Sequence, residues 1–264
     1  MKFGQEFRFG HDEVAPRDKM RMIAEAGFDG IMTWWGYRFS RRDGTKESIC
    51  QNAKEFGLEL LAFHSSFQDA SDIWGSDARA KKILDKHIAG VEGCDEHGCR
   101  NLVVHVAGVE EFSPNIDAGL ENYATLFKRA DELGVNVAIE NIALTKYNRL
   151  LIENLNFKSH KCCYDSGHDN FMSDPDTDVL SLFAGRIAVT HLHDNYKNKK
   201  IDSHFLMGEG DVDWARVKTA LQNENLEAIC LESRNSGGSR HAGVSAEEFL
   251  KLSLETAREM FEDN

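Results

Sequence analysis

The sequence has little of what usually separates or links domains. Its 264 residues include only three prolines, and no Ser/Gly-rich or low-complexity tract interrupts them. Domain boundaries commonly fall in such linkers, so nothing marks a second domain. A hydrophobic content of 41% over this length is enough to bury a sizeable core. We therefore expect one domain spanning residues 1–264.

Membrane and secretory signals are also missing. No window approaches the roughly 18 uninterrupted apolar residues of a membrane helix, and the chain opens on the charged stretch "MKFGQEFRFG" rather than on a signal peptide. The six cysteines form no pair of CxxC units of the kind that holds zinc. These absences predict a cytoplasmic protein with reduced thiols and no membrane partner.

Basic residues are few relative to acidic ones. Lys and Arg number 31 against 44 Asp and Glu, which gives a net charge of −13. This charge opposes the phosphate-neutralising contacts through which proteins bind nucleic acids. Nucleic acid is therefore disfavoured as a partner.

What the sequence does contain is a repeated phrase: "EAGFDGIMTW" (25–34), "EFGLELLAFH" (55–64), "EHGCRNLVVH" (96–105) and "ELGVNVAIEN" (132–141). Each places a glycine two positions after an acidic residue and an apolar run after the glycine. The glycine suits the left-handed residue that ends a helix, and the run suits a strand buried on both faces. Each phrase therefore predicts a helix-to-strand junction.

Eight strands are predicted in all, at 3–9, 29–34, 59–64, 101–105, 135–140, 161–165, 187–192 and 227–232, with helices between them and a last helix at about 246–262. Eight strand–helix units in about 250 residues are typical of an α/β fold, the (β/α)8 TIM barrel. The alternative, a doubly wound open sheet, lacks the Gly-rich phosphate-binding sequence expected after its first strand.

Polar residues stand where the predicted strands end. Strands three to eight end, in order, in His64, His105, Glu140, Asp165, His191 and Glu232. TIM barrels build their active sites at these ends, so the side chains should converge. Clustered buried carboxylates repel one another and cost several kcal/mol to desolvate unless a cation compensates them. The pattern predicts a divalent metal site.

The loops after strands six and seven add three candidates. His168 follows Asp165 by three positions in "DSGHDN", and the later "DSH" contributes Asp202 and His204. Like His64 and His105, Asp202 and His204 are candidates for additional metal or substrate contacts.

Candidate substrate-binding residues lie in three loops. "WWGYRFSRRDG" (34–44) contains Trp34 and Arg38, the loop after strand seven contains Lys197, and Arg234 follows strand eight. Aromatic rings stack on the apolar face of a sugar, and arginine forks onto phosphate or carboxylate. The competing interpretation of residues 34–44 is an exposed amphipathic loop that caps the barrel.

The ordered set "IEN" (139–141), "YDSGHDN" (164–170), "HLHDN" (191–195), "DSH…GEG…DW" (202–214) and "CLES" (230–233) resembles the xylose-isomerase-like TIM barrel superfamily, in its group of sugar-phosphate isomerases and epimerases. No single motif is specific, but their order is, and the resemblance runs from the first strand to the last helix. It implies a sugar or sugar phosphate as substrate, a divalent ion (Mn²⁺, Mg²⁺ or Zn²⁺) and no organic cofactor. A homo-oligomer is compatible with it.

The resemblance also implies roles for individual residues. In ketose 3-epimerases of this superfamily, Glu, Asp, His and Glu from strands five to eight hold one ion; these correspond here to Glu140, Asp165, His191 and Glu232. The family pattern makes His191 the ligand and leaves His193 to line the pocket. Glu140 and Glu232 would move the proton next to a substrate carbonyl, through an enediolate. His168 would hydrogen-bond the substrate. The arginine that ketose epimerases carry after the metal-binding histidine is absent, and Lys197 stands nearby.

Two alternatives remain open. The related apurinic-site endonucleases (family 2) hold three zinc ions with nine ligands, and the full set resembles His64, His105, Glu140, Asp165, His168, His191, Asp202, His204 and Glu232. The net charge and the sequence "HSSF" (64–67), where those endonucleases have His-Ala-Pro-aromatic, favour the sugar enzyme. A lyase that dehydrates a keto-polyol or keto-glycoside would begin with the same proton abstraction.

Overall fold

The protein folds into a (β/α)8 TIM barrel, as the sequence predicts. The structure is a computed structural model and describes residues 1–36, 44–235 and 238–262. Its strands, in chain order, are β1 (Lys2–Glu6), β2 (Gly30–Trp35), β3 (Glu59–Ser65), β4 (Asn101–His105), β5 (Asn136–Glu140), β6 (His160–Asp165), β7 (Ile187–His191) and β8 (Ala228–Leu231). Neighbouring strands are parallel, and β1 pairs with both β2 and β8.

Helices alternate with the strands around the outside of the barrel. Those within the described residues are α1 (Pro16–Ala26), α2 (Lys46–Glu55), α3 (Ala78–His97), α4 (Ile116–Leu133), α5 (Thr145–Asn154), α6 (Ser166–Phe171), α7 (Val179–Phe183), α8 (Trp214–Leu221) and α9 (Ala246–Phe261). Short 3₁₀ turns occur at Ala70–Trp74 and Lys197–Lys199. None of the described helices combines the length and the apolar character needed to cross a membrane.

The repeated phrases form the junctions that the sequence predicts. Gly27, Gly98 and Gly134 follow α1, α3 and α4 with φ of +96°, +70° and +67°, and each backbone N–H bonds back into its helix. This left-handed conformation favours glycine because a Cβ atom would clash with the following carbonyl. The glycine therefore ends each helix and turns the chain toward the next strand.

The first strand is shorter than predicted, since it covers Lys2–Glu6 rather than residues 3–9. Phe7 and Phe9 are nonetheless buried, with 1% and 0% of their surface exposed. They pack into the core from irregular backbone that turns at Gly10, where φ is +97°. The other strands agree with their predicted bounds to within two residues at either end.

The barrel closes between β7 and β8 with little regular ladder. One backbone bridge joins Leu192 to Leu231. Below it, the Thr190 hydroxyl accepts a hydrogen bond from the Cys230 N–H (2.9 Å) and donates one to the Cys230 carbonyl (3.2 Å). A side chain thus takes the place of a backbone pair at this seam.

Candidate active site

The interior of the barrel is layered, and the layers explain why polar residues converge. One buried layer is apolar and takes one residue from each strand from β2 to β7: Met32, Ala62, Val103, Ala138, Cys163 and Val189. Side chains two positions apart in a strand point to the same face. The next layer of inward-facing side chains, toward the C-terminal ends of the strands, therefore holds the residues two positions later: Trp34, His64, His105, Glu140, Asp165 and His191. Glu6 at the end of β1 and Glu232, the residue after β8, extend this layer.

Four of these residues form a compact cluster, as the sequence predicts. One donor atom from each of Glu140, Asp165, His191 and Glu232 lies within 4.8 Å of the others. His191 Nδ1 is 3.1 Å from Glu140 Oε1 and 3.0 Å from Glu232 Oε2. All four side chains are buried. We call this set the four-residue cluster.

The donor atoms suit a divalent ion. Two ligands at right angles, each about 2.1 Å from an ion, are about 3.0 Å apart, which is close to the separations around His191. Three carboxylates and one imidazole are ligands that Mn²⁺, Mg²⁺ and Zn²⁺ accept. The residues therefore fit a metal.

Charges within the cluster shift its protonation. Burial opposes ionisation of Glu140, but the imidazoles of His191 and His105 outweigh it and lower the pKa of this carboxyl well below its ordinary value. Burial likewise disfavours a charged His191, yet its neighbours, Cys163 and Glu140 first, raise its pKa well above the ordinary value. Without a metal, the carboxylates hold protons on the imidazoles; ligand imidazoles must release theirs to bind an ion.

A second group lies on the other oxygen of Glu140. His64 Nε2 and His105 Nε2 are 3.1 Å and 3.0 Å from Glu140 Oε2. Aromatic rings cover both imidazoles: Trp34 stacks on His64 at 4.1 Å, and Phe67 stacks on His105 at 5.1 Å. Burial lowers the pKa of His105, against the opposing effect of Glu140. Each oxygen of Glu140 therefore meets a different set of imidazoles.

A third group contains the loop residues that the sequence singles out. Asp202 Oδ2 lies 3.3 Å from His168 Nε2 and 2.9 Å from His204 Nε2. His193 stacks on His204 at 4.1 Å, and its Nε2 is 3.2 Å from Asp165. His193, His204 and Glu232 could also hold an ion, since one donor atom of each lies within 4.8 Å of the others. The structure thus brings all nine predicted ligands into one mouth.

Local hydrogen bonds turn His168 inward as the sequence predicts, but residues 166–171 form the short helix α6 rather than the predicted loop. Asp165 caps α6, with its Oδ1 accepting from the His168 N–H at 2.7 Å. Asn141 accepts from the Asp165 N–H (2.8 Å) and donates to the Asp165 carbonyl (2.9 Å), which ties the end of β6 to that of β5. His168 Nδ1 is 3.1 Å from the Asn141 carbonyl. The first turn of α6, held by hydrogen bonds to the ends of β5 and β6, therefore directs the His168 imidazole into the barrel.

Asp194 organises the loop that carries Asp202 and His204. Its carboxylate accepts hydrogen bonds from the backbone N–H groups of Asn195, Gly208 and Val212 and from Trp214 Nε1, at 2.8–3.1 Å. Its backbone forms an antiparallel bridge with Phe205. Asp194 is fully buried and its contacts are with the loop, so it serves the loop geometry rather than lining the mouth.

Glu6 is a site residue that the sequence analysis missed. Glu6 ends β1, so a carboxylate between Gln5 and Phe7 in a buried strand was an available signal. It binds Arg234, whose Nη2 also donates to Glu232 Oε1 at 2.8 Å. Arg234 therefore belongs to the site that it was predicted to line.

The remaining predicted substrate contacts have mixed positions. Trp34 lies in the mouth, where its Nε1 donates to Glu6 Oε1 at 2.9 Å. Lys197 begins an exposed 3₁₀ turn. Arg38 lies outside the described residues. A cavity of about 1000 Å³ lies at the opposite end of the barrel and is lined by residues such as Asn101 and Lys161, not by any candidate site residue.

Fold and site together define an α/β barrel protein with a polar, metal-ligand-rich centre at the C-terminal ends of its strands. The chain belongs to the xylose isomerase-like TIM barrel family, whose model matches residues 20–258.

Two other proteins are similar to this chain in sequence. The uncharacterized protein y4fM of Sinorhizobium fredii is 25% identical over 245 residues, which cover 79% of this chain and 78% of that protein. The uncharacterized protein MJ1311 of Methanocaldococcus jannaschii is 23% identical over 214 residues, or 75% of this chain and 71% of that protein.

Two solved structures are similar over nearly the whole chain. The D-psicose 3-epimerase of Clostridium cellulolyticum with D-tagatose has a TM-score of 0.78 at 13% identity, and the match covers 100% of both chains. The IOLI protein with a bound zinc atom has a TM-score of 0.78 at 15% identity, covering 98% of each chain. At these identities the likeness establishes the shared fold.

Proposed function

We propose that this protein is a divalent-metal-dependent isomerase or epimerase of a sugar or sugar phosphate, acting by proton transfer next to a carbonyl. The four-residue cluster is the observation that carries the proposal. The similar structures of sugar 3-epimerases support it, because their named substrates are ketoses such as D-tagatose and D-fructose.

The proposed metal ligands are Glu140, Asp165, His191 and Glu232. When bound, a divalent ion would polarise the substrate carbonyl and offset negative charge that develops on its oxygen. This makes the neighbouring C–H acidic enough for a carboxylate to remove its proton.

Glu140 is suited to the proton-transfer role because its two oxygens differ. Oε1 lies in the four-residue cluster, whereas Oε2 faces His64 and His105. Oε2 can therefore take the substrate proton while Oε1 stays with the cluster. His105 Nε2 lies 3.0 Å from Oε2 and helps to hold this oxygen in place.

Glu232 and His168 complete the proposed chemistry. In epimerisation, Glu140 takes the proton from one face of the carbon, and Glu232 in its protonated form gives a proton to the other face of the enediolate; proton exchange with solvent then restores both carboxyl groups. Isomerisation needs one base, which carries the proton to the neighbouring carbon. Burial opposes a charged His168, but Asp165, Asp202 and Glu140 outweigh it and raise the pKa of this imidazole well above its ordinary value. His168 can therefore donate a hydrogen bond to a substrate oxygen.

Solvent-deuterium exchange tests this mechanism. With Mn²⁺ and a panel of D-fructose, D-tagatose and D-allulose, we expect the protein to incorporate deuterium next to the carbonyl, measured by NMR. Glu140→Gln and Glu232→Gln should each abolish the exchange while the circular dichroism spectrum is unchanged. Glu227→Gln, an exposed carboxylate at the other end of the barrel, is the matched control. Exchange that survives both active-site changes would refute the mechanism.

A second candidate is metal-dependent hydrolysis of phosphodiesters at abasic sites. The group of His64 and His105 and the group of Asp202 and His204, which flank the four-residue cluster, favour it because they supply ligand atoms for further ions. Metal analysis of the purified protein separates the candidates. Three zinc ions per chain together with cleavage of an abasic-site oligonucleotide would favour hydrolysis, whereas one ion with ketose exchange favours the isomerase. A product that is lighter than the substrate by one water would indicate a lyase.

A further inference from the structure

Glu6 is a buried carboxylate that the proposed mechanism does not use. Only 1% of its surface is exposed, and it lies at the end of β1, in the same layer as the metal-binding candidates. Both of its oxygens have donors: Oε1 accepts from Trp34 Nε1 at 2.9 Å, and Oε2 accepts from Arg234 Nε at 3.0 Å. A buried charge is stable only when it is paired in this way. Arg234 is therefore the counter-ion of Glu6.

Arg234 is shared between two carboxylates. Its Nη2 lies 2.9 Å from Glu6 Oε2 and donates to Glu232 Oε1 at 2.8 Å. The planar guanidinium presents its N–H groups at fixed angles, so contact with Glu6 fixes the direction from which it meets Glu232. The Arg234 backbone N–H also donates to the His204 carbonyl at 2.7 Å. Side chain and backbone are thus both anchored.

The contact leaves the two oxygens of Glu232 unequal. Oε1 is occupied by the guanidinium, whereas Oε2 lies 3.0 Å from His191 Nδ1, on the side of the four-residue cluster. Rotation of the carboxylate would break the Arg234 contact and leave a buried charge poorly paired. Oε2 is then the oxygen that faces an ion, whereas Oε1 keeps a lone pair beside the Arg234 contact for the proposed proton transfer.

We propose that Glu6 and Arg234 are a positioning pair that holds Glu232 so that it offers one oxygen, Oε2, to the metal. The inference rests on the proposed metal site at the four-residue cluster. It assigns Arg234 a role through Glu232 rather than through the substrate, and it explains the otherwise unused carboxylate on β1.

Metal binding to the full chain tests the pair without reference to any sugar. The double variant Glu6→Gln/Arg234→Met removes one negative and one positive charge, so the net charge of the site is unchanged and an effect on affinity reports orientation. Residues that orient metal ligands typically contribute about tenfold to a hundredfold in affinity. We expect the Mn²⁺ dissociation constant, measured by calorimetry on the metal-free protein, to rise by at least about tenfold.

A spectroscopic measurement separates positioning from general destabilisation. Co²⁺ absorbs visible light more weakly as its coordination number rises. Once Glu6 and Arg234 are replaced, Glu232 is free to bind through both oxygens, so the Co²⁺ form of the double variant should absorb more weakly than the wild type. The exposed pair Arg100 and Glu227, 2.6 Å apart at the other end of the barrel, gives the matched control Glu227→Gln/Arg100→Met, which should match the wild type in both measurements.

Wild-type Mn²⁺ affinity and an unchanged Co²⁺ spectrum in the folded double variant would overturn the positioning role. Should that variant fail to fold, Arg234→Lys replaces it, because lysine keeps the positive charge but lacks the planar guanidinium that contacts both carboxylates. A raised Mn²⁺ dissociation constant with a changed Co²⁺ spectrum supports the inference. Wild-type values of both overturn it. Glu232→Gln distinguishes the two proposals. Unchanged Mn²⁺ affinity in Glu232→Gln would overturn the metal site itself, whereas a loss there with wild-type behaviour in the double variant overturns the positioning pair alone.

Discussion

Acidification should destabilise this protein through His87, a buried histidine of α3 that lies behind the site. Its Nδ1 is 2.8 Å from Ser65 Oγ, and the carbonyl of Ser65 is 2.7 Å from Nδ1 of His64. The imidazole is 1% exposed, and within the described part of the chain its Nε2 has no hydrogen-bond partner. A proton on His87 would therefore place an unpaired charge in the core.

The size of the effect follows from the pKa. Burial lowers the pKa of His87 from 6.5 to about 3. The unfolded chain then binds this proton more readily than the folded one, so the stability that the neutral ring provides is complete above pH 6.5 and is lost as the pH falls from 6.5 toward 3. Between pH 8 and pH 5 the loss is RT ln(1 + 10^1.5), or about 2 kcal/mol of unfolding free energy.

Urea unfolding at the two pH values, with a chelator present to remove metal effects, measures this loss. His87→Gln keeps a hydrogen-bonding group near Ser65 but does not titrate, so its stability should fall by about 2 kcal/mol less than that of the wild type. Ser65→Ala, which retains the buried imidazole, is the control and should keep the full acid sensitivity. The reasoning is refuted if His87→Gln and the wild type lose the same free energy between pH 8 and pH 5.

Two further predictions concern the metal and the loop after β7. Saturating Mn²⁺, at about 100 times its dissociation constant, should add roughly 2.7 kcal/mol of stability and raise the melting temperature by roughly 5–10 °C over the chelated protein; calorimetry showing no shift would contradict a Mn²⁺ site in the folded state. Asp194→Asn turns one acceptor oxygen into a donor facing N–H groups and should cost about 2–3 kcal/mol in urea unfolding, whereas a change below about 0.5 kcal/mol would contradict the anchoring role of Asp194.

The strand-end residues were predictable because two local regularities coincide. The αβ junctions with glycine fix where β2 to β5 begin, and a strand of known start has a known end. Parallel strands in a barrel bring their C-terminal ends together, so His64 and Glu140 could be placed side by side without any long-range information. The structure confirms that they meet, with 3.1 Å between His64 Nε2 and Glu140 Oε2.

Glu6 shows where the same reasoning stops. In β1 the apolar pattern continues through Phe7 and Phe9, so periodicity alone extends the strand past its last ladder residue. The end of the strand is set by the turn at Gly10 and by packing against other elements, which the local sequence does not encode. With the strand end displaced, Glu6 falls inside the predicted strand and loses the position that marked the other candidates.

The pairing of Arg234 with Glu6 was beyond sequence reasoning for a different reason. The two residues are 228 positions apart and meet only because β1 lies beside β8 when the barrel closes. From the sequence alone, a basic residue that follows a strand could pair with any of many acidic residues. Only the folded seam between the first and last strands selects a buried carboxylate for it.

The sparse closure between β7 and β8 has a thermodynamic consequence. His191 and Glu232 stand on opposite sides of the seam that Thr190 spans with its hydroxyl, so an ion held by both would cross-link the two strands. Opening of the seam would then require release of the ion, and occupancy of the site would suppress that opening. Amide hydrogens of β7 and β8 would exchange more slowly in the metal-loaded protein. Local opening of the barrel would therefore depend on the concentration of free metal.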